Sequence, residues 1–238
     1  GRMRSGPMHG ATTGGPAASR PTPPRRVFVT GGTGYLGTRL LRALRANGHE
    51  THALVRPTSL ARMPEEFGPV PGDALHGLSY VTRVAPADTF VHLVGVSHPS
   101  PAKAEDFLRV DLASVAAAVP VALTAGIRHF VYVSVAQPAP VMQAYVAARA
   151  RAESIIRDSG LPCTILRPWY VVGPGHWWPV ALLPGYWLGE LLPGPRASAR
   201  RLGLVTVRQM VRALVHAVEQ PAEGVRVLEV PQIRNVTA

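Results

Sequence analysis

Four glycines spread over seven residues, Gly31, Gly32, Gly34 and Gly37, follow the apolar run Val27-Phe28-Val29 directly. A Cβ at such positions would block a tight turn, a ligand's approach, or the packing of a helix on a strand. Where a strand runs through such a turn into a helix, the backbone amides and the positive helix end form a receptor for a pyrophosphate. Further on, Ser134 closes a strand-like run, and Tyr145 and Arg149 stand four residues apart on the helical pattern that follows. That spacing puts the phenol and the guanidinium on one helix face. Other candidates for chemistry are weaker. Cys163 is the only cysteine and lies in the strand-like Leu161-Pro162-Cys163-Thr164-Ile165-Leu166, which reads as a small buried thiol rather than a nucleophile. The nine histidines lack the paired spacing of metal ligands, so no metal is expected.

The elements that must position these residues alternate. Val27-Phe28-Val29 leads to a Leu36, Leu40, Leu44 stripe closed by Asn47-Gly48. Then come His52-Ala53-Leu54-Val55, a breaker-rich stretch, Phe90-Val91-His92-Leu93-Val94, and a helical run from about Ala104 to Ala125. Phe130-Val131-Tyr132-Val133, a helix from about Met142 to Ser159, and Cys163-Thr164-Ile165-Leu166 complete the pattern. Strand followed by helix, repeated, predicts an α/β fold: a doubly wound parallel sheet covered on both faces, of the Rossmann kind. The third unit is degraded. Val70-Pro71-Gly72-Asp73 makes a poor strand, and residues 75–87 are too short and mixed for a helix.

At 238 residues with 47% hydrophobic content, the chain suits one domain with a core of ordinary size. Residues 1–24 have no periodic apolar pattern and are expected to be a disordered arm. The dinucleotide-binding domain is then 25–238, with a small C-terminal, substrate-side part at about 169–238. No stretch of 18 uninterrupted apolar residues occurs, so no transmembrane helix is expected. A lone cysteine excludes an internal disulfide and fits a reducing, cytoplasmic compartment. The formal charge of +11 is almost wholly arginine, Lys103 being the only lysine. It suggests an anionic partner, although a GC-rich genome yields the same composition. Neither a nucleic-acid module nor a basic stripe interleaved with aromatics occurs, so no nucleic-acid partner is expected.

The stretch Thr30-Gly31-Gly32-Thr33-Gly34-Tyr35-Leu36-Gly37 resembles the T-G-x-x-G-x-x-G signature of extended and atypical short-chain dehydrogenases/reductases. The resemblance continues through Gly72-Asp73-Ala74, Val131-Tyr132-Val133-Ser134, Tyr145-x-x-x-Arg149-x-x-x-Glu153, Leu166-Arg167-Pro168 and Gly173-Pro174-Gly175, covering nearly all of residues 25–230. The short C-terminal part is similar to the atypical group that includes NmrA-like proteins and relatives of the complex I accessory subunit. This resemblance implies cofactor contacts from Gly31, Thr33, Gly34, Tyr35, Leu36, Gly37, Arg56, Asp73, Ala74, Val94, Gly95 and Pro168. It also implies a monomer, or a homodimer formed through the two helices flanking the central strands.

Charge decides which cofactor is expected. In a dinucleotide fold the end of the second strand meets the adenine ribose, where an Asp or Glu accepts from a free 2′-hydroxyl and repels a 2′-phosphate. This chain has Arg56 there, a planar donor fork suited to phosphate, with Thr58 and Ser59 nearby. Glu50 lies at the opposite end of that strand. NADP is therefore favoured over NAD.

In the family the residue matching Tyr145 is the general acid or base, and that matching Ser134 orients the substrate oxygen. A lysine four residues after the tyrosine supports the phenolate, since a free tyrosine titrates near ~10. Here Arg149 replaces that lysine; it keeps the charge but cannot relay a proton. Asp111 stands where relatives usually have asparagine. Two function classes remain: an NADP-dependent oxidoreductase acting on a carbonyl, enone or quinone, with Ser134, Tyr145 and Arg149 in its catalytic group, and a cofactor-binding sensor or assembly factor without turnover.

All four tryptophans fall between residues 169 and 187, in a segment broken by Pro and Gly and followed by Arg196, Arg200, Arg201, Arg208 and Arg212 with no acidic residue between them. Aromatic rings there serve either a small subdomain's own core or a lipophilic pocket. The arginines would add roughly 1 kcal/mol each at an anionic headgroup surface. The expectation is a lipophilic small-molecule substrate and peripheral contact with a membrane.

Overall fold

The β-branched and aromatic runs form a seven-stranded, all-parallel sheet in the computed structural model, which describes residues 22–96, 99–139, 141–175 and 200–237. Its strands are β1 (Arg26–Thr30), β2 (Glu50–Val55), β3 (Pro69–Pro71), β4 (Thr89–His92), β5 (His129–Val133), β6 (Cys163–Arg167) and β9 (Val225–Glu229). They are ordered β3-β2-β1-β4-β5-β6-β9. A second, two-stranded parallel ribbon pairs β7 (Tyr170–Val172) with β8 (Leu204–Thr206). The strands read as unbroken apolar runs because both faces are covered. On β1, Val27 and Val29 enter the core layer shared with Leu40, Leu41 and Leu44, whereas Phe28 enters the opposite layer with Phe90 and Phe130. This is the two-residue alternation of a strand.

Helix α1 (Tyr35–Ala46) buries Leu40, Leu41 and Leu44 and stops at Asn47, whose side-chain amide donates to the Ala43 carbonyl at 2.8 Å. Helix α2 (Pro101–Thr124) is long and apolar enough, by length and composition, to cross a membrane. It is instead a crossover helix whose Val115, Ala118 and Ala122 are buried on the sheet. Its middle, Phe107–Leu112, is a π-turn. Helix α3 (Gln143–Asp158) packs beside it and carries Tyr145 and Arg149. Helix α4 (Val207–Glu219) starts in a capping box of Thr206 and Gln209, and α5 (Val230–Asn235) follows β9.

One sequence reading needs adjustment: Val70, expected in a poor strand, does pair, and β3 registers against Ala53, Leu54 and Val55. As expected, residues 75–87 hold no full crossover helix, only two short 3₁₀ turns at Gly77–Ser79 and Val81–Arg83. The expected arm falls almost wholly outside the described residues, as do Trp177, Trp178, Trp187 and Arg196. The C-terminal part returns to the main sheet, because β9 pairs with β6 along Cys163 to Arg167 and α4 packs in the α1 core layer.

Candidate functional site

The strand order reverses direction between β1 and β4, and in an open α/β sheet the ligand crevice lies at that point, at the strands' C-terminal ends. The turn from β1 into α1 forms one wall. Gly31 has φ +75°, and a Cβ on it would lie 2.8 Å from the Leu93 carbonyl carbon, so the turn lies against the end of β4. A Cβ on Gly37 would run into the Gly31 carbonyl oxygen and sit 2.7 Å from the Gly32 Cα, which seats the first turn of α1 on the loop. Thr33 and Gly34, by contrast, are exposed at the tip. A Cβ on Gly34 would meet only its own turn, at the Gly31 carbonyl. The cradle is thus tight underneath and open on its outer side, the shape that admits a pyrophosphate to the helix N-terminus. Leu36 packs against the core below. The Tyr35 ring carries the Arg39 guanidinium 3.9 Å from its centroid, and its hydroxyl reaches the backbone at Gly173.

Arg56 is exposed immediately after β2, and its charge is felt by Asp73, just past β3. The Asp73 carboxyl is held low chiefly by the Leu75 amide, which donates at 2.9 Å and outweighs the opposing effect of burial, with His76 and Arg56 adding to the lowering. Ala74 is half-buried beside it. Ser59 is turned inward and accepts from Arg62 at 2.9 Å, so it does not stand beside Arg56 as an open donor; Thr58 is exposed. Glu50 lies at the far end of β2, bound to Arg26 and His52.

The other wall comes from β4, β5, α2 and α3. Ser134, just past the end of β5, is 3% exposed; its amide donates to the Leu166 carbonyl at 2.7 Å, and its hydroxyl has no partner among the described residues. Pro168 is buried nearby and its carbonyl accepts from the Ala136 amide. Arg149 Nη1 donates to the Val133 carbonyl at 2.7 Å and to the Tyr132 hydroxyl at 3.2 Å, and its guanidinium carbon lies 5.3 Å from the centre of the Tyr145 ring. The i, i+4 pair therefore does share the face turned to the end of β5. Glu153, one turn further, grips Arg167 at 3.0 and 2.6 Å and accepts from Gln137 at 2.8 Å, which braces the loop after Ser134. Arg201 donates to the Pro138 carbonyl of that loop at 3.1 Å, so the C-terminal part does border this wall.

Sequence reasoning missed how Asp111 and Arg149 meet. Both are buried, and Arg149 Nη2 stands 2.5 Å from Asp111 Oδ1, while Asp111 Oδ2 accepts from the Val96 amide at 3.0 Å. Burial pushes the Asp111 carboxyl upward, against the pull of Arg149 and of that amide. Burial works against the Arg149 charge too, but the tyrosine hydroxyls and Asp111 outweigh it, and Arg149 stays a permanent cation. The π-turn of α2 makes the meeting possible: its two buried residues, Phe107 and Asp111, face Tyr145, at 5.0 Å between ring centres, and Arg149. The shared four-residue spacing of Phe107–Asp111 and Tyr145–Arg149 was the available signal. His92, also missed, is fully buried between the hydroxyls of Thr30 at 2.8 Å and Ser114 at 3.0 Å. Burial, with the nearby Arg149, lowers its pKa to about 3. A histidine inside an otherwise apolar strand run was its mark.

A parallel sheet of this order, with a glycine turn at the switch point, defines a dinucleotide-binding protein. Comparison with known proteins carries this further. Residues 31–173 match the family described as NAD(P)H-binding. The 3-diazoavenalumate denitrifying reductase of a Streptomyces species is 32% identical, covering 84% of this chain and 74% of that protein. The ceramide reductase of Caulobacter vibrioides is 28% identical, covering 88% and 65%. A Stigmatella aurantiaca ketoreductase of a farnesyl-dihydroquinoline oxide is 29% identical, covering 62% and 51%. The chain thus spans less than two thirds of the latter two relatives. Among solved structures, a Bordetella bronchiseptica enzyme in complex with NAD+ superposes with a TM-score of 0.64 at 20% identity, covering 87% of this chain and 76% of that one. A UDP-N-acetylglucosamine 4-epimerase from Bacillus cereus does so with 0.63 at 16%, covering 89% and 80%. The chain belongs to the NAD(P)H-binding family of short-chain dehydrogenase/reductase-like Rossmann proteins, and its cofactor is a nicotinamide dinucleotide.

Proposed function

We propose that the protein is an NADP-dependent oxidoreductase that reduces a carbonyl, enone or quinone on a lipophilic substrate. The observation that carries this reading is the buried, unpartnered Ser134 hydroxyl at the strand end to which Arg149 ties the helix of Tyr145. A buried hydroxyl without a partner costs about 1–3 kcal/mol, which a substrate oxygen would recover. The glycine cradle fits the cofactor's diphosphate, and Arg56 favours a 2′-phosphate. The bound cofactor supplies or takes up the hydride at C4 of its nicotinamide. Ser134 holds the substrate oxygen, Tyr145 gives it a proton, and Arg149 acts through the position of Tyr145 and of the strand end. The buried Phe107 ring against Tyr145, and the half-buried Trp169 and Tyr170 just after β6, are aromatic surroundings that suit an apolar substrate. Relatives whose names specify a ceramide and a farnesyl-bearing quinoline point the same way.

Peripheral membrane contact is part of this proposal. Arg208 and Arg212, one turn apart on α4, are exposed beside a groove of about 960 Å³ with Ala43, Val211 and Val215 in its lining. Cosedimentation with anionic liposomes that high salt abolishes is the expected result, and no association at low salt would remove the membrane from the reading. A homodimer through α2 and α3 fits the half-exposed Leu108 and Leu123 on the outer side of α2; a monomer by sedimentation would exclude it.

One observation favours a second reading. Arg149 is already committed to Asp111, Val133 and Tyr132, as suits a sensor in which the occupied crevice alters partner binding without turnover. NADPH consumption across carbonyls and quinones, run beside a binding titration, separates the two. Turnover supports the oxidoreductase, and binding without turnover on any acceptor supports the sensor.

A further inference from the structure

A buried polar chain runs beneath the crevice from one wall to the other. Ser114 Oγ donates to the Asp111 carbonyl at 3.1 Å and lies 3.0 Å from His92 Nε2; Thr30 Oγ1 lies 2.8 Å from His92 Nδ1. With the Ser114 proton spent on the carbonyl, the network assigns the His92 proton to Nε2, and Nδ1 accepts from Thr30. The strand end that opens the glycine turn is thereby hydrogen-bonded through His92 and Ser114 to the π-turn. From the π-turn the chain divides. The two oxygens of Asp111 reach different elements: Oδ2 takes the Val96 amide of the loop after β4, and Oδ1 faces Arg149 of α3. Arg149 passes the connection on to the Val133 carbonyl, one residue before Ser134. The fit over this pair is close. A Cβ on Gly95 would collide with Arg149 Nη2 and stand 3.1 Å from Asp111 Oδ1, so the loop backbone rests directly on the ion pair.

Removing one member of such a pair leaves an uncompensated buried charge, which is far more damaging than removing both. We propose that Asp111 and Arg149 are a matched positioning pair, which holds the loop at residues 94–96 and the helix carrying Tyr145 as one unit, so that the crevice keeps its nucleotide-binding shape when both charges are present or both absent. Neither residue transfers a proton in this role. Asp111 acts through Val96 and Arg149, and Arg149 acts through Val133 and the loop above it. The inference rests on the NAD(P)-binding reading, because Val94 and Gly95 are the part of that loop expected to face the cofactor.

The test is a double-mutant cycle read by NADPH fluorescence titration and, in parallel, thermal unfolding. Asp111→Asn and Arg149→Met are each expected to weaken NADPH binding about tenfold or more, and the double variant to return to within about threefold of the parent, the signature of a coupled pair. Gly95→Ala gives an independent arm. It should weaken NADPH binding in the parent background and do so far less in the Arg149→Met background, where the colliding group is gone. Losses that simply multiply in the double variant would overturn the proposal. So would single variants that lose thermal stability while binding NADPH as the parent does, since that marks a purely structural ion pair. A parent that binds neither NADPH nor NADH would instead remove the functional reading on which the proposal stands.

Discussion

Arg56 and Tyr145 carry the two sharpest expectations at the scale of single residues. Arg56 is exposed at the strand end that in dinucleotide folds meets the adenine ribose, and no acidic residue occupies that position. NADPH should bind more tightly than NADH, and Arg56→Ala should remove most of the difference; equal affinities in the parent would sink this assignment. Tyr145 is half-buried, between the Phe107 ring and the Arg149 guanidinium. If it protonates the substrate oxygen, Tyr145→Phe lowers turnover about 10²-fold or more, the usual scale of general acid–base catalysis. A Phe variant with full turnover would take Tyr145 out of the mechanism. The glycines and the Tyr145–Arg149 pair were legible in sequence because their meaning lies in local spacing. The partner of Arg149 was not, because Asp111 comes from another helix: the four-residue spacing sets Phe107 and Asp111 together, but only the π-turn of α2 turns them toward Tyr145 and Arg149. Ser59 misled for a similar reason: its neighbour in sequence is Thr58, but the partner that claims it is Arg62.

At the scale of elements, the turn between β1 and α1 depends on contact between backbones. A methyl group on Gly37 would drive the first turn of α1 off Gly31 and Gly32. Gly37→Ala should therefore weaken NADPH binding at least about tenfold and cost about 1–3 kcal/mol of stability, the usual range for overpacking. Unchanged affinity in that variant would mean the cradle does not hold the diphosphate. Strands β1, β2, β4, β5 and β6 were readable as apolar runs. By contrast, β3 is three residues long with a proline at each end, and it pairs because β2 offers it an edge. The short run Val225-Arg226-Val227-Leu228-Glu229 carries charge at its second and fifth positions and has no clear period; Val227 and Leu228 pack in opposite core layers, and the strand joins the sheet at its edge, through β6. Such pairing is set by tertiary context, which strand propensity alone does not report.

At the scale of the whole molecule, the buried histidines tie stability to pH. His92 and His129 have their pKa values lowered, by burial first, from 6.5 to about 3 and about 4. Arg149 adds to the effect at His92, and Arg226 and Arg25 add to it at His129. Below the ordinary histidine pKa the unfolded chain takes up protons that the folded chain refuses, so their contribution is complete above about pH 6.5 and shrinks as pH falls toward those lowered values. Each group adds a slope of roughly 1.4 kcal/mol per pH unit within that window. Unfolding midpoints should fall on acidification from about pH 7 to about pH 5, and His92→Gln should flatten part of the slope. A flat profile for the parent would show that these rings are not held neutral. Fold class is legible in the strand–helix alternation alone, since neighbouring parallel strands require crossover connections; function depends on whether a retained crevice still turns over. The most direct measurement is NADPH oxidation with a series of carbonyls and quinones of increasing lipophilicity, using the parent and Tyr145→Phe side by side. The oxidoreductase reading predicts acceptor-dependent NADPH loss that grows with lipophilicity and collapses in the Phe variant. Saturable NADPH binding with no oxidation on any acceptor would contradict it.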